Sequence, residues 1–166
     1  MIAIRPEEPD DFAALCELQR VAFAPSELEA EIAGALRAAG DHVPELCLVA
    51  TDEGTIVGHV MLSTAHVEAE PVLGLGPIAV DPARQNQGIG SALMREAIAR
   101  ANATGYPLIG LLGHPAYYPR FGFAPAEATF GITTKYEAPP EAWMALALSA
   151  YEPRIRGRFR YAEAFG

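Results

Sequence analysis

The chain has 166 residues, of which 51% are hydrophobic and 20% are charged. This composition is typical of a folded globular protein and excludes an intrinsically disordered chain. The formal net charge is −9, so the electric field of the whole molecule repels nucleic acid and anionic membranes and attracts cations. An acidic balance also serves solubility, and the charge by itself therefore identifies no partner.

The N-terminal residues predict neither a secretory signal nor a membrane anchor. Charged residues between Arg5 and Asp11 interrupt any apolar run, and no apolar stretch reaches the ~18 residues that a membrane helix needs. We therefore expect a cytoplasmic protein and, because no linker or repeat divides the sequence, a single domain over residues 1–166. Cys16 and Cys47 lie in apolar segments, which predicts buried thiols and neither a disulfide nor a metal site.

The first part of the chain predicts a strand and two helices. Alternating residues predict a strand over Met1–Arg5, and a helix follows over Pro9–Phe23. Ser26 and Glu29 have the spacing of a capping box, which would start a second helix. Gly40 would end that helix as its C-cap.

A β-meander is predicted next. Leu46–Thr51 and Thr55–Ala65 form a predicted hairpin, because the turn sequence Asp52-Glu53-Gly54 separates them. Val72–Val80 predicts the following strand. Its two glycines and its proline indicate a bulge or the close approach of another group to the backbone.

The second half predicts alternating helices and strands. In chain order we expect a helix over Gly88–Thr104, a short buried strand over Pro107–Leu112 and a short helix over Pro115–Arg120. A strand from Phe121 onwards and a late strand over Trp143–Leu148 follow. The whole order combines antiparallel hairpins with one parallel crossover connection. We therefore predict a mixed α/β fold.

A C-terminal extension, residues 151–166, carries an alternating tail. Arginines at every second position from Arg154 to Arg160 predict an edge strand with one basic face. Charge on an edge strand guards against aggregation. The same face would also suit an acidic neighbour such as the second subunit of a homodimer, and both interpretations stay open.

The segment from Val80 to Ser91 has the pattern of an anion-binding loop. It ends a predicted strand, continues as a polar loop and opens a helix through Gly88 and Gly90. The first turn of a helix has unpaired N–H groups and a partial positive charge, and glycine leaves them accessible to an anion. The segment predicts a phosphate site built from backbone, although it lacks the lysine of a Walker loop and the third glycine of a Rossmann loop.

A second segment, His114–Phe123, carries Tyr117 and Tyr118 just beyond the short buried strand. A tyrosine hydroxyl has an ordinary pKa of about 10, so it stays neutral at physiological pH and can protonate a thiolate leaving group. Aromatic residues that only pack, with polar tips, would give the same pattern. The segment alone does not distinguish these roles.

Together the two segments resemble the GNAT superfamily of N-acetyltransferases, and the residues from Gly113 to Phe123 are similar to its YhbS-like branch. The pyrophosphate motif of that family is Q/R-x-x-G-x-G/A, which Gln85–Gly90 matches in full. Its later motif places a tyrosine four residues before a Gly-Phe pair, as Tyr118 stands before Gly122-Phe123. The predicted element order also matches over most of the chain.

The resemblance implies a central, mixed and mostly antiparallel twisted sheet of about six or seven strands, flanked by about four helices. It implies a V-shaped splay between two central parallel strands, acetyl-CoA as the co-substrate, and no metal. Tyr118 would protonate the departing thiolate. The backbone of Ile78, Ala79 and Val80 would pair with the pantetheine arm, with an N–H near Ile78 polarising the thioester carbonyl. The pyrophosphate would bind at Gln85, Asn86, Gln87, Gly88, Ile89, Gly90 and Ser91.

The resemblance further implies direct attack by a primary amine of a small molecule or peptide, in a ternary complex without a covalent acyl-enzyme. No general base is marked by a motif, and the candidates are Glu27, Glu68, Glu70, His59 and His66. For His59, in the middle of a strand, a structural role is the favoured interpretation. The alternative function is a non-catalytic acyl-CoA-binding module or sensor.

Overall fold

The computed structural model describes residues 1–166 and contains nine β-strands and four α-helices. In chain order the strands are β1 (Ile2–Pro6), β2 (Leu48–Asp52), β3 (Thr55–Val67), β4 (Glu70–Val80), β5 (Leu108–Leu112), β6 (Ala124–Pro125), β7 (Ile132–Thr133), β8 (Trp143–Ala147) and β9 (Gly157–Arg160). The helices are α1 (Phe12–Ala22), α2 (Leu28–Ala39), α3 (Ile89–Asn102) and α4 (Ala126–Phe130). None of them combines the length and the apolar character that crossing a membrane requires.

The main sheet has the strand order β1-β2-β3-β4-β5-β8-β6. Neighbouring strands on this path are antiparallel, except for β4 and β5, which run parallel. The prediction of a mixed, mostly antiparallel sheet with four helices is therefore confirmed. The number of strands is slightly higher than expected, because the two-residue strands β6 and β7 and the tail strand β9 also pair.

The two parallel strands separate soon after they meet, which is the expected splay. Although β4 continues to Val80, it pairs with β5 at only two positions, Leu73 with Ile109 and Gly74 with Gly110. The register between β3 and β4 shifts between Val60 and Leu62, and such a bulge bends a strand away from its neighbour. The edge of β4 beyond Gly74 therefore has no strand partner on the β5 side.

Helix α3 packs on one face of the sheet. Its buried side chains include Ile89, Leu93 and Ala97, which join the largest core cluster with residues of β2 to β5. A Cβ at Gly58 on β3 would lie 2.9 Å from both Ile89 and Leu93. The glycine therefore lets α3 lie close to the sheet, and this contact positions the start of the helix relative to the end of β4.

The opposite face is covered by α1, α2 and the C-terminal segment. The Phe159 ring is buried there and lies 4.9 Å, between ring centroids, from the Trp143 ring. A Cβ at Gly110 would lie 2.6 Å from the Phe159 ring, and one at Gly74 would lie 2.9 Å from the Tyr161 ring. The glycine pair that joins β4 to β5 thus makes room for two aromatic rings. This is the close approach that the glycines in β4 predicted.

The tail strand β9 is not an edge strand, so that prediction is wrong. It pairs antiparallel with β3 through residues 159–160 and parallel with β7 through residues 157–158. The alternation itself is as predicted, because Ile155 and Phe159 are buried while the arginines of the tail are exposed. A period of two shows which side chains share a face of a strand, but it does not show how many strands lie beside it.

Two further local predictions differ from the structure. Cys47 is buried as expected, but Cys16 in α1 is exposed. The strand predicted from Phe121 is reduced to the two residues of β6, because the chain from Tyr118 to Phe121 forms a 3₁₀ turn that ends at Gly122.

Replacing Gly110 by alanine is expected to lower the free energy of unfolding by about 1–3 kcal/mol, because the added methyl group overlaps the Phe159 ring in a packed core. Gly34 in α2 is the matched control, since a Cβ there meets no atom within 4 Å. Alanine at that helical position is expected to stabilise the protein by roughly 0.5–1 kcal/mol. Denaturant unfolding measures both changes, and an unchanged stability of Gly110→Ala would contradict the packing of Phe159 on β5.

Candidate active site

The loop between β4 and α3 presents backbone donors at the start of a helix. Asn86 and Gly88 have φ values of 63° and 83°, in the left-handed region, and α3 begins directly after them. The N–H groups of Ile89, Gly90 and Ser91 have no acceptor within the helix. They lie at the positive end of the helix dipole, which is an arrangement that binds phosphate or another anion.

This loop lines a cavity of about 530 Å³, which we name the polar cavity. Nine of the ten residues predicted to bind the cofactor line it together: Ile78, Ala79, Val80, Gln85, Asn86, Gly88, Ile89, Gly90 and Ser91. Three further lining residues, Arg84, Tyr117 and Arg120, were not predicted from the sequence to bind the cofactor. Two arginines therefore border the free helix N–H groups, in a molecule that is acidic overall.

Gln87 is the predicted residue that does not line the polar cavity. Its side-chain oxygen instead accepts a hydrogen bond from Nε of Arg84 at 3.2 Å. Arg84 also donates to the Asp52 carboxylate at 2.6 Å. These two contacts orient the guanidinium group, so Gln87 acts on the cavity through Arg84.

Tyr117 and Arg120, which follow β5, line the polar cavity beside the start of α3. The Tyr117 hydroxyl lies 3.3 Å from Oγ of Ser91. The Arg120 guanidinium stacks 4.6 Å from the Tyr117 ring centroid, and its Nε donates to the Tyr117 carbonyl at 2.9 Å. The sequence signal for this pair is the Y-Y-P-R run itself, in which only the second tyrosine matches a motif.

Tyr118, the predicted proton donor, lies in a different and more apolar setting. Its ring makes edge-to-face contacts with Tyr117 and Phe123, with centroids 5.0 and 6.0 Å away. A Cβ at Gly113 would overlap this ring, so the glycine makes the space that the ring occupies. Burial, with a smaller contribution from Tyr117, raises the pKa of Tyr118 to about 12. The hydroxyl therefore keeps its proton throughout the physiological pH range.

Tyr118 lines a second cavity of about 520 Å³, which we name the apolar cavity. Eleven of its fourteen lining residues are hydrophobic, and Glu29 is the only charged one. The walls come from the end of α1, the start of α2, the splayed parts of β4 and β5, the 3₁₀ turn after β5, the loop after β7 and the C-terminal segment. The lining residues are Phe23, Leu28, Glu29, Ile32, Leu75, Gly76, Pro77, Ile78, Leu111, Leu112, Tyr118, Tyr136, Tyr161 and Phe165. Ile78 lines both cavities, so the two adjoin at the open edge of β4.

His59, one of the candidate bases, lines neither cavity. Its ring is fully buried, and its Nε2 and Nδ1 lie 2.8 Å from a Glu7 carboxylate oxygen and 2.9 Å from the Gln19 amide nitrogen. Glu7 also accepts a hydrogen bond from Arg37 at 2.6 Å. Burial lowers the pKa of His59, against the opposing effect of Glu7. The residue belongs to a closed polar network between the sheet, α1 and α2, which agrees with the structural interpretation.

The other four candidate bases are also outside both cavities. His66 is exposed on β3. Each of the three carboxylates is engaged elsewhere: Glu27 with Arg20, Glu68 with the backbone N–H of Arg158, and Glu70 with Arg154. The carboxylate that does reach a cavity is Glu29, which the sequence pattern had assigned to a helix cap.

Comparison with known proteins identifies the family. The model of the acetyltransferase (GNAT) family matches residues 12–123. The uncharacterized N-acetyltransferase YjhQ of Escherichia coli K12 is 32% identical over 163 residues, which cover 94% of this chain and 90% of YjhQ. The uncharacterized N-acetyltransferase YhbS of the same strain is 39% identical over 123 residues, which cover 72% of each chain.

Solved structures agree with this assignment. The structure of E. coli YhbS in complex with CoA has a TM-score of 0.91 and 32% sequence identity, and it covers 99% of this chain and 91% of that one. A GNAT family acetyltransferase from Brucella melitensis in complex with acetyl-CoA has a TM-score of 0.81 and 34% identity, covering 100% and 99% of the two chains. By sequence and by fold, the chain belongs to the acetyltransferase (GNAT) family.

Proposed function

We propose that this acetyltransferase moves the acetyl group of acetyl-CoA onto a primary amine of a small molecule or peptide. The observation that carries the proposal is that an anion-binding helix start and a half-buried, protonated Tyr118 line adjoining cavities, which share Ile78. The CoA-bound and acetyl-CoA-bound relatives support the same co-substrate. Since two separate cavities can hold the two reactants together, we expect a ternary complex.

The residues of the polar cavity fit the diphosphate of CoA. The three free N–H groups at the start of α3 are donors, Arg120 supplies a positive charge, and Arg84 supplies further N–H donors from its ion pair with Asp52. The space beside Gly88 is open, since a Cβ built there would have no neighbour within 4 Å. A diphosphate can therefore approach the N–H groups from this side. Gln85 and Asn86 contribute side-chain amides, and Gln87 holds Arg84 in place.

The open edge of β4 suits an extended chain that carries amide groups. Ile78, Ala79 and Val80 pair with β3 on one side, and on the other side they have no strand partner. Unpaired backbone groups of this kind can bind an extended ligand as though it were another strand. We infer that this edge binds the pantetheine arm and that an N–H near Ile78 polarises the thioester carbonyl.

Tyr118 is the proposed general acid. Acetyl-CoA supplies an acetyl group activated as a thioester, and the amine nitrogen bonds to its carbonyl carbon as the carbon–sulfur bond breaks. The ammonium group of the acceptor first loses one proton to solvent, which frees the electron pair of the nitrogen for this attack. As the carbon–sulfur bond breaks, Tyr118 donates its proton to the departing sulfur and recovers one from the nitrogen. A hydroxyl whose pKa is about 12 is protonated when the sulfur needs a proton.

Replacing Tyr118 by phenylalanine is expected to lower turnover by roughly 10²–10⁴-fold, because the variant keeps the ring and loses the proton donor. Free-thiol release from acetyl-CoA with a panel of amines measures the rate, and calorimetry with CoA is expected to show unchanged affinity. Tyr106→Phe is a matched control, because Tyr106 packs against the core and lines neither cavity. An unchanged rate in Tyr118→Phe would remove the residue from the mechanism. CoA binding without turnover on any amine would instead favour the non-catalytic acyl-CoA-binding module.

A charge placed at the start of α3 tests the polar cavity. Asparagine and aspartate both tolerate the left-handed conformation of Gly88 and have nearly the same size. Gly88→Asp is expected to bind CoA at least ~10-fold more weakly than Gly88→Asn, because only the aspartate repels the diphosphate. Calorimetric titration of CoA at low salt measures both affinities. Equal affinities of the two variants would show that the diphosphate binds elsewhere.

A further inference from the structure

We propose that the apolar cavity selects a small monoamine whose body is aromatic or branched and apolar, and that Glu29 binds its ammonium group. This inference rests on the proposed function and names the acceptor class of the same site. It follows from the composition of the cavity wall, from the single carboxylate in it, and from the C-terminal aromatic residues that complete it.

The cavity has the size of a small-molecule site. Its volume of about 520 Å³ lies within the range of roughly 300–1,000 Å³ that is usual for small ligands. Part of it borders the open edge of β4 through Gly76, Pro77 and Ile78, where the acetyl end of the co-substrate is proposed to lie. The remaining wall is formed by apolar and aromatic side chains, which favour an acceptor that buries an apolar body.

Glu29 is the one group in this wall that can neutralise a cation. It is half-buried, makes no ion pair, and accepts a hydrogen bond from the Ser26 hydroxyl at 3.2 Å. Ser26 therefore does not form the predicted capping box, in which the glutamate would bond to the backbone. The Glu29 carboxylate keeps acceptor capacity for an ammonium group that enters the cavity.

One carboxylate in an apolar wall also limits the acceptor to one charge. A polyamine would bring a second ammonium group into the same cavity, and burying an unpaired charge is costly. A strongly hydroxylated amine would likewise leave polar groups without partners among the apolar side chains. The aromatic rings of Tyr136, Tyr161 and Phe165 offer apolar area and cation–π contacts to a single ammonium group near them.

Ring contacts and a hydrogen bond join the residues of the aromatic wall, Tyr136, Tyr161 and Phe165, to one another and to the chain end. The Tyr161 ring lies against Gly74 and packs on the Phe165 ring with centroids 4.7 Å apart. The Tyr136 ring lies 5.9 Å from the Tyr161 ring, and its hydroxyl donates to the Gly166 carbonyl at 2.9 Å. These residues lie outside the segment 12–123 that matches the family model, so this wall is supplied by the rest of the chain.

Three acceptors of different chemistry test the proposal on the parent protein: 2-phenylethylamine, spermidine and a lysine-containing polar peptide. We expect kcat/KM for 2-phenylethylamine to exceed the values for the other two by at least ~10-fold, because only this amine matches an apolar wall with one carboxylate. Calorimetry on the CoA-loaded protein is expected to rank their affinities in the same order. Equal or better use of spermidine or of the peptide would overturn the acceptor class while leaving the acetyltransferase function in place.

Glu29→Gln tests the ammonium contact. We expect KM for 2-phenylethylamine to rise about 10-fold, because a charged hydrogen-bond partner is replaced by a neutral one, while the affinity for CoA stays unchanged. Glu27→Gln is the matched control on the preceding residue, since the Glu27 side chain is 63% exposed and lies outside the cavity. Equal effects of the two variants, or no effect of either, would show that Glu29 does not bind the acceptor.

Phe165→Ala tests the aromatic wall. We expect it to reduce the preference for 2-phenylethylamine over n-propylamine by about 10-fold, because the cavity then opens to water and loses ring contacts. CoA affinity of the variant confirms that the protein is folded. An unchanged preference in a folded variant would overturn the role of the wall. If the parent binds CoA but acetylates none of the amines, the proposed function fails, and the acceptor class fails with it.

Discussion

The separation of β4 from β5 is the constraint on which the functional part of the molecule depends. The strands share only two paired positions, at Leu73 and Gly74 of β4, before the β4 bulge turns them apart. A buried backbone donor or acceptor without a partner costs roughly 1–3 kcal/mol. The open edge of β4 is therefore a place where water or a ligand must supply hydrogen bonds. Both cavities border this edge, and they share Ile78.

Glycines in the strands let the covering elements pack closely against both faces of the sheet. On one face Gly58 lets α3 approach, which positions the free N–H groups at the start of that helix. On the other face Gly74 and Gly110 admit the rings of Tyr161 and Phe159. Because Tyr161 also lines the apolar cavity, the same aromatic packing that stabilises the C-terminal segment shapes the proposed acceptor site. Under the proposed acceptor class, a change in this packing would affect both the stability of the protein and its choice of acceptor.

The charges of the two cavities are opposite in sign. Arg84 and Arg120 border the polar cavity, and Glu29 is the only charged residue of the apolar one. Under the proposed function this arrangement matches an anionic co-substrate and a cationic acceptor, although the molecule as a whole carries a net charge of −9. Tyr118 lines the apolar cavity, where partial burial raises the pKa of its hydroxyl. The local environment, more than the net charge, decides what each cavity can bind.

Local patterns in the sequence were enough to predict the three longer helices, the main strands, the family and most residues of the polar cavity, but not the short helix α4. These features depend on neighbours in the chain: alternation in β9, apolar spacing in α3, and glycines at a helix start where N–H groups are free. The sequence did not show that β9 has two neighbouring strands, that Arg84 pairs with Asp52, or that Glu29 lines a cavity and does not cap a helix. Each of those depends on residues distant in the chain being brought together, as Tyr161 is to Gly74. Such contacts exist only once the sheet, helices and C-terminal segment have packed, and the tertiary structure alone decides them.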